Sequence, residues 1–213
     1  MQSILRRSLL VALLVLLSSA MNGCSTLKSV ADALTSLGKL QFKLGDVNNF
    51  SLGGINISSL SSYTDINPMQ VIDLTSAVRK NKLPVSFTLN ILARNPNDGT
   101  ATKATPLFLR KMVWTLSIDD RKTITGVTDR RLEIPASGQT TTIPVTMDLD
   151  LMQFFSDKGF DDIMNLAFAI GGRSGSSSRL KLTARVTVEN PVTQQPFEYP
   201  SEITVVNTQF SNP

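Results

Sequence analysis

The chain has 213 residues, of which 41% are hydrophobic and 18% are charged, so it can bury one sizeable core and carries fewer charges than the usual quarter. Its formal net charge is +4, too small an excess for a nucleic-acid reader, which usually shows a concentrated basic surface. The sequence contains no histidine. The commonest general base and metal ligand is therefore missing, together with every Ser-His or Cys-His catalytic pair.

The first two dozen residues resemble a secretion signal. Arg6-Arg7 precede an uninterrupted apolar run at 9–17, which is too short to cross a bilayer core of about 30 Å comfortably. Small and polar residues then lead to Gly23 and Cys24, the only cysteine. This arrangement resembles a bacterial lipobox, in which the cysteine after a small residue carries lipid and becomes the first mature residue. We therefore predict a signal peptide over residues 1–23 and lipidation, palmitate included, at Cys24.

Two alternatives to lipidation stay open. One is ordinary signal cleavage after Ala20, since Ser18-x-Ala20 fits the small-x-small rule, and the other is a free cysteine placed there by chance. If Cys24 is lipidated, each buried methylene contributes about 0.8 kcal/mol, so several acyl chains hold the protein on a membrane. Ser25 is not the aspartate that keeps some lipoproteins at the inner membrane. We therefore expect a lipoprotein of the bacterial cell envelope, at the outer membrane.

Residues 24–38 are predicted to form a tether with a short amphipathic helix. Its apolar side chains recur at helical spacing, at Leu27, Val30, Ala31, Leu34 and Leu37. The helix either contacts the membrane surface or docks on the folded body, and its few cations favour docking. A single domain is predicted over residues 39–213. It opens with alternating segments at 40–44 and 50–52, and Gly53-Gly54 indicate a bulge or a sharp bend after them.

A helix is predicted near residues 68–79. Asn67 is a good N-cap, Pro68 suits the first helical position, and Gln70 completes a pattern like a capping box. The hydrophobic period then changes from 3.6 to 2. Strands are predicted at 85–94, 112–118, 123–127, 132–134, 143–149, 180–189 and 202–207.

A second helical segment is predicted near residues 150–170, ending at Gly171-Gly172. Its apolar side chains either form a ligand box or cover the core, and core packing is the favoured interpretation. Strands with one apolar and one polar face, joined by short polar turns, predict antiparallel sheets packed on each other. We therefore expect a mainly β fold, an antiparallel Ig/fibronectin-like β-sandwich with accessory α-helices.

Side chains that could do chemistry are few. Three acidic pairs, Asp119-Asp120, Asp161-Asp162 and Asp148/Asp150, could bind a cation, but none lies in a recognisable metal loop. A basic set could face acidic lipid or polysaccharide, although such charges are commonly solvated at sheet edges. It consists of Arg110, Lys111, Arg121, Lys122, Arg130 and Arg131. No nucleophile motif, P-loop or dinucleotide fingerprint is present, so we assign no catalytic, metal-binding or cofactor-binding residue and expect no enzyme.

Two stretches resemble a known family. Residues 87–97, FTLNILARNPN, resemble the strand and NPN signature of the type 2 late embryogenesis abundant (LEA) family, also called the water-stress and hypersensitive-response (WHy) domain. Residues 132–140, with an Ile-Pro-Ala-x-Gly turn, resemble that family's turn and following strand, and Asn190-Pro191 echo the first signature. The resemblance spans roughly residues 84–207 and implies a noncatalytic role in envelope or stress protection.

The Asn-Pro elements also have a mechanical interpretation. Proline cannot donate a hydrogen bond to a neighbouring strand and asparagine tolerates turn conformations, so the pair ends strands. We therefore interpret Asn95, Pro96 and Asn97 as structural.

Three functions stay open at this point. The first is a lipid-anchored, noncatalytic structural or binding module that contacts another envelope protein. The second is a periplasmic carrier of an apolar ligand or lipid, held between a sheet and the Phe-rich helices in a cavity on the order of several hundred Å³. The third, an enzyme, has the least support. The expected partners are the membrane, through lipidated Cys24, and an envelope protein or a lipid, with no nucleic acid.

Overall fold

The computed structural model describes residues 38–96, 106–136, 138–171, 180–190 and 193–205. The strands within these ranges are β1 (Gln41–Leu52), β2 (Ile55–Asn56), β3 (Pro84–Arg94), β4 (Leu107–Ile118), β5 (Arg121–Ile134), β6 (Thr140–Asp150), β7 (Leu180–Glu189), β8 (Pro196–Glu198) and β9 (Ile203–Val205). The α-helices are α1 (Pro68–Arg79), α2 (Leu151–Phe155) and α3 (Phe160–Ile170), preceded by a 3-10 turn at Tyr63–Asp65. Cys24, the predicted signal segment and the helix predicted after it lie outside the described residues.

The strands pair into two antiparallel sheets. The first sheet has the order β2-β1-β3-β6, and the second has the order β5-β4-β7-β8, with β9 also pairing with β7. This places β1, β3 and β6 where an Ig-type sandwich has strands A, B and E, with β5, β4, β7 and β9 as C′, C, F and G. The predicted β-sandwich with accessory helices is confirmed.

The core lies between the sheets because alternate side chains of each long strand point inward. On β3, Phe87, Leu89 and Ile91 are at most 1% exposed, while the residues between them are half-buried. Phe87 stacks on Phe50 of β1, with ring centroids 5.5 Å apart. Each large apolar side chain buried in this way contributes about 1.5–3 kcal/mol, so the alternation read from the sequence is the main source of stability.

The three helices lie at one end of the sandwich, which we call the helix end. It is the end where the hairpin turn Gly53-Gly54 joins β1 to β2 and the turn Asp119-Asp120 joins β4 to β5. Helix α3 buries six side chains, whereas α1 buries only Leu74. Gly171 is the C-cap of α3, with φ −67°, and the following glycine, the position that is typically left-handed, lies outside the described residues.

Of the bulge or sharp bend predicted at Gly53-Gly54, the structure shows the sharp bend, as a hairpin turn between β1 and β2. The glycine φ angles of 58° and 85° are the pair of positive values that a two-residue type I′ turn requires, which is why glycine occupies both positions. Asn67 accepts the cap hydrogen bond at the start of α1, and this confirms the helix predicted near 68–79.

The structure corrects several sequence-based boundaries, among them the start of β4, which lies at Leu107 where residue 112 was predicted. β5 is one strand of 14 residues, where the sequence predicted two short strands, because it lies at a sheet edge and most of its side chains are exposed. β1 is also continuous, with irregular pairing after Leu44 and after Asn48, where two segments were predicted. The three-residue strand β8 was missed, since so short a strand shows no period.

Candidate functional site

Two of the three predicted acidic pairs lie at a strand turn and in the first turn of a helix. Asp119 and Asp120 are the two residues of the β4–β5 turn, with φ angles of 48° and 60°, a left-handed conformation that aspartate tolerates. Asp161 and Asp162 lie in the first turn of α3, where negative charge is favoured by the helix macrodipole. Among the described residues, no group of three or more His, Cys, Asp or Glu side chains could hold a metal ion.

Two arginines of the predicted basic set share one carboxylate. Arg110 and Arg131 each approach Glu189 to 3.2 Å, and the guanidinium of Arg131 lies 3.7 Å from the ring centroid of Phe108. The hydrogen bonds from Arg131 are the main reason that the pKa of Glu189 is below its ordinary value. This cluster links β4, β5 and β7, so its charges are used within the fold.

Arg121 forms a second internal contact, at the helix end. Its two terminal nitrogens donate to the carboxylate of Asp157 at 2.8 and 2.7 Å, and one of them also donates to the carbonyl of Phe154 at 2.8 Å. The hydrogen bonds from Arg121 lower the pKa of Asp157 to about 2. The basic set is therefore divided between two clusters and scattered exposed side chains, and the structure does not assemble it into one basic surface.

The two family-like stretches meet in space. β3 ends just before Asn95, a fully buried residue whose carbonyl accepts a hydrogen bond from the N–H of Gly138 at 3.0 Å. Gly138 has φ 68°, so the glycine of the Ile-Pro-Ala-x-Gly turn supplies a left-handed position. Asn190 accepts from the N–H of Thr193 at 3.1 Å through its side chain. Both asparagines act where strands end, and Asn97 lies outside the described residues.

A cleft of about 690 Å³ opens at the helix end of the first sheet. Side chains from β1, β3, β5, β6 and α2, and from the turns beside them, line it. They are Ser51, Gly54, Lys82, Pro84, Val85, Ser86, Ile124, Asp148, Leu149, Asp150 and Gln153. The volume falls in the range of small-molecule sites, about 300–1,000 Å³, so this cleft is the candidate functional site.

Strand register places three polar side chains of the cleft in one row. Ser51 pairs opposite Ser86, and Ser86 pairs opposite Asp148. None of the three is buried in the core, so all three side chains lie on the outer face of the first sheet. Among the described residues they make no side-chain hydrogen bond or ion pair, and their polar atoms are available to a ligand.

Two further polar side chains and one constrained carboxylate complete the cleft. Lys82 lies just before β3 and Gln153 lies on α2, both exposed and without a side-chain hydrogen bond to another described residue. Asp150, in contrast, caps α2, since its Oδ1 accepts from the N–H of Leu83 at 2.7 Å and of Met152 at 3.0 Å. Asp148 is therefore the carboxylate of the cleft with no bond within the described chain.

Sequence reasoning found only part of this site. It singled out Asp148 and Asp150 as an acidic pair, but it missed Ser51, Ser86 and Gln153. The alternation did place Ser86 and Asp148 on polar strand faces. Their meeting with the other side chains depends on the pairing of strands that are far apart in sequence, for which no local signal exists.

In the part of the chain that the structure describes, no helix is both long and apolar enough to span a membrane.

Comparison with known proteins gives similarity in structure alone. No family model matches the chain, and no curated protein sequence matches it. Similar solved structures include a protein described as a candidate late embryogenesis abundant (LEA) protein, which is 13% identical, covers 90% of each chain and has a TM-score of 0.35. Two others are proteins from Arabidopsis thaliana (14% identical, 81% of each chain, TM-score 0.33) and from Archaeoglobus fulgidus (10% identical, 78% of this chain and 99% of that chain, TM-score 0.31). These TM-scores are too low to support an argument, so the fold is assigned from the strand pairing described above.

Proposed function

We propose that this chain is a lipid-anchored, noncatalytic binding module of the bacterial cell envelope, with a LEA type 2-like domain that takes a ligand or partner in the cleft. The observation that carries the proposal is a set of five polar side chains that line one cleft and make no side-chain bond within the described chain. They are Ser51, Lys82, Ser86, Asp148 and Gln153. A ligand that enters the cleft can exchange its hydrogen bonds with water for hydrogen bonds to these side chains.

A noncatalytic role is supported by the chemistry of the same cleft. The sequence has no histidine to act as a general base. The second carboxylate, Asp150, accepts hydrogen bonds from two backbone N–H groups, so the cleft has no pair of free carboxylates for acid-base work. Lys82 is the other titratable side chain of the cleft, and the five free polar side chains are suited to binding and orienting a molecule.

The position of the cleft fits an anchored protein. β1 begins at Gln41, the end that follows the predicted anchor, and reaches the cleft at Ser51. Ten residues of extended strand span about 30 Å. In a chain tethered through Cys24 at the outer membrane, this separation favours a ligand or partner presented away from the anchoring leaflet.

A carrier of an apolar ligand or lipid is the alternative. The apolar part of the cleft, formed by Pro84, Ile124 and Leu149, favours it. However, Phe155 and Phe168 of the Phe-rich helices are 0% and 4% exposed within the core. The sequence suggested a lipid held between a sheet and these helices. Because the helix side chains fill the core, a bound lipid would lie in the cleft instead.

The anchor is tested by intact-mass analysis of the full chain purified from membranes. We expect removal of residues 1–23 and a mass increase that corresponds to acyl chains on Cys24, and we expect Cys24→Ala to lose both the added mass and the membrane attachment. A native protein that leaves the membrane fraction with salt, or that starts at Met21 after cleavage behind Ala20, would refute the lipid anchor.

The cleft is tested by photo-crosslinking in cells. A photoreactive residue replaces exposed Gln153 in the cleft, and the matched control carries the same residue at exposed Thr125 of β5, on the second sheet. We expect a reproducible adduct from position 153 alone, whose mass distinguishes a protein partner from a lipid or another small ligand. Equal labelling at the two positions would refute a binding role for the cleft.

A further inference from the structure

The chemistry of the cleft also indicates which ligand class it takes, an inference that rests on the proposed binding function. We infer that the cleft binds a neutral, hydroxyl-rich glycan, with a sugar ring seated over the row formed by Ser51, Ser86 and Asp148. Sugar hydroxyls both donate and accept hydrogen bonds. The cleft presents the matching groups, which are two hydroxyls, one free carboxylate, one amide and one ammonium group.

The mixed charges of the cleft, one ammonium group and two carboxylates, disfavour strongly charged ligands. An anion that approached Lys82 would lie in the same cleft as Asp148 and Asp150, and a cation that approached the carboxylates would lie near Lys82. Either charge would meet repulsion along with attraction. A neutral ligand avoids this conflict and still uses every polar group, because the carboxylate accepts from sugar hydroxyls and the ammonium group donates to them.

The middle strand of the row offers only a side chain to the ligand. At Ser86, β3 is paired on both sides, with β1 and with β6. Its backbone groups are therefore used in the sheet, and no peptide strand can be added beside it. Pro84 and Ile124 provide apolar surface against which the C–H groups of a sugar ring can pack.

The outer face of the first sheet continues the hydroxyl and amide surface beyond the cleft. The carboxylate of Asp46 accepts from the amide of Asn48 at 2.8 Å and from the amide of Asn90 at 3.3 Å. These bonds fix two amides on the strands that carry Ser51 and Ser86, and they lower the pKa of Asp46. A glycan longer than the cleft therefore finds oriented hydrogen-bonding groups along the same face.

The test measures saturation transfer by NMR to four neutral trisaccharides, with the full chain in detergent micelles. The probes are maltotriose, cellotriose, mannotriose and the trimer of N-acetylglucosamine, and tetralysine and inorganic tripolyphosphate are the charged comparisons. We expect saturation transfer to at least one trisaccharide. Asp148→Asn should weaken its binding about tenfold or more, since it removes a charged acceptor of hydroxyl hydrogen bonds.

A matched control separates the cleft from general changes in charge. Asp129→Asn removes an exposed strand carboxylate from the second sheet and should leave trisaccharide binding unchanged, and both variants should keep the thermal midpoint of the native chain. Absence of saturation transfer to all four trisaccharides, equal weakening by the two variants, or stronger binding of a charged probe would overturn the glycan inference. If the crosslinked adduct at position 153 is still obtained in those cases, the binding module stands and only its ligand class is wrong.

Discussion

Replacing Gly126 by alanine should destabilise the fold through a clash with the only tryptophan. Gly126 on β5 pairs opposite Trp114 on β4, and the indole ring lies over the glycine. A Cβ atom added at Gly126 would lie 2.2 Å from Cζ2 and 2.7 Å from Cη2 of Trp114, against an ordinary contact of 3.4–4 Å. The ring must therefore retreat by about 1 Å or more, although Trp114 is 5% exposed and packed in the core.

The expected cost follows from three contributions. Overpacking of a filled core costs about 1–3 kcal/mol. Displacement of the ring also weakens the hydrogen bond that Trp114 Nε1 donates to Thr128 Oγ1 at 3.3 Å, which contributes about 1 kcal/mol. In the opposite direction, alanine restricts the unfolded chain more than glycine does, which stabilises the folded state by about 0.5–1 kcal/mol. The net loss is about 2 kcal/mol, which lowers the thermal midpoint by about 4–8 °C in a chain of this size.

Urea unfolding followed by fluorescence measures this directly, because a single tryptophan reports the site. The matched control is Gly159→Ala, at a position where the nearest atom to an added Cβ is 4.0 Å away, and it should cost less than about 1 kcal/mol. In a chain that also carries Trp114→Leu, whose unfolding is followed by circular dichroism, Gly126→Ala should no longer destabilise the fold appreciably. The two substitutions should therefore show a coupling energy of about 1–3 kcal/mol. A Gly126→Ala protein with the native midpoint and unchanged emission would show that the ring does not rest on this glycine.

Three further predictions follow from single contacts. Asp150→Ala should cost about 1–3 kcal/mol in urea unfolding, because two backbone N–H groups lose their acceptor, whereas Asp148→Ala should stay within about 0.5 kcal/mol; equal costs would contradict the cap. Asn67→Ala should cost about 1 kcal/mol and speed amide exchange selectively in α1, and unchanged exchange there would count against the cap. Arg121→Gln should raise the pKa of Asp157 from about 2 towards 3.8, as followed by NMR titration of the carboxyl group. Since this folded-state pKa is lowered, the stabilisation by Asp157 is complete above pH 3.8 and is lost as the pH falls towards 2, so the variant should lose less stability than the native chain in that interval.

Local patterns in the sequence predicted most of the sandwich. The buried alternation from Val85 to Ala93, the cap at Asn67 and the paired glycines at 53–54 each specify local geometry without help from distant residues. The same patterns did not join the two halves of β5, because an edge strand keeps little buried periodicity. They also gave no sign that Gly126 leaves room for a ring on the neighbouring strand.

The candidate site depended far more on tertiary structure. Asp148 stood out in the sequence as half of an acidic pair, but its partner Asp150 proved to be a helix cap tied to Leu83. Ser51 and Ser86 carried no motif, and they became neighbours of Asp148 only through the register of three strands.

By itself, the sequence determined which face is apolar in the long strands of the core and where most turns and helices begin. It also determined that the chain has no histidine and, with one cysteine, no internal disulfide. These properties depend on residue type and on periods of two or 3.6 residues, which any short segment displays. Only the tertiary structure decided which polar side chains share a cleft, which carboxylates are already bonded and which glycine lies beneath Trp114. Such contacts join residues far apart in the chain, and a shift of one residue in strand register would turn every one of those side chains to the opposite face.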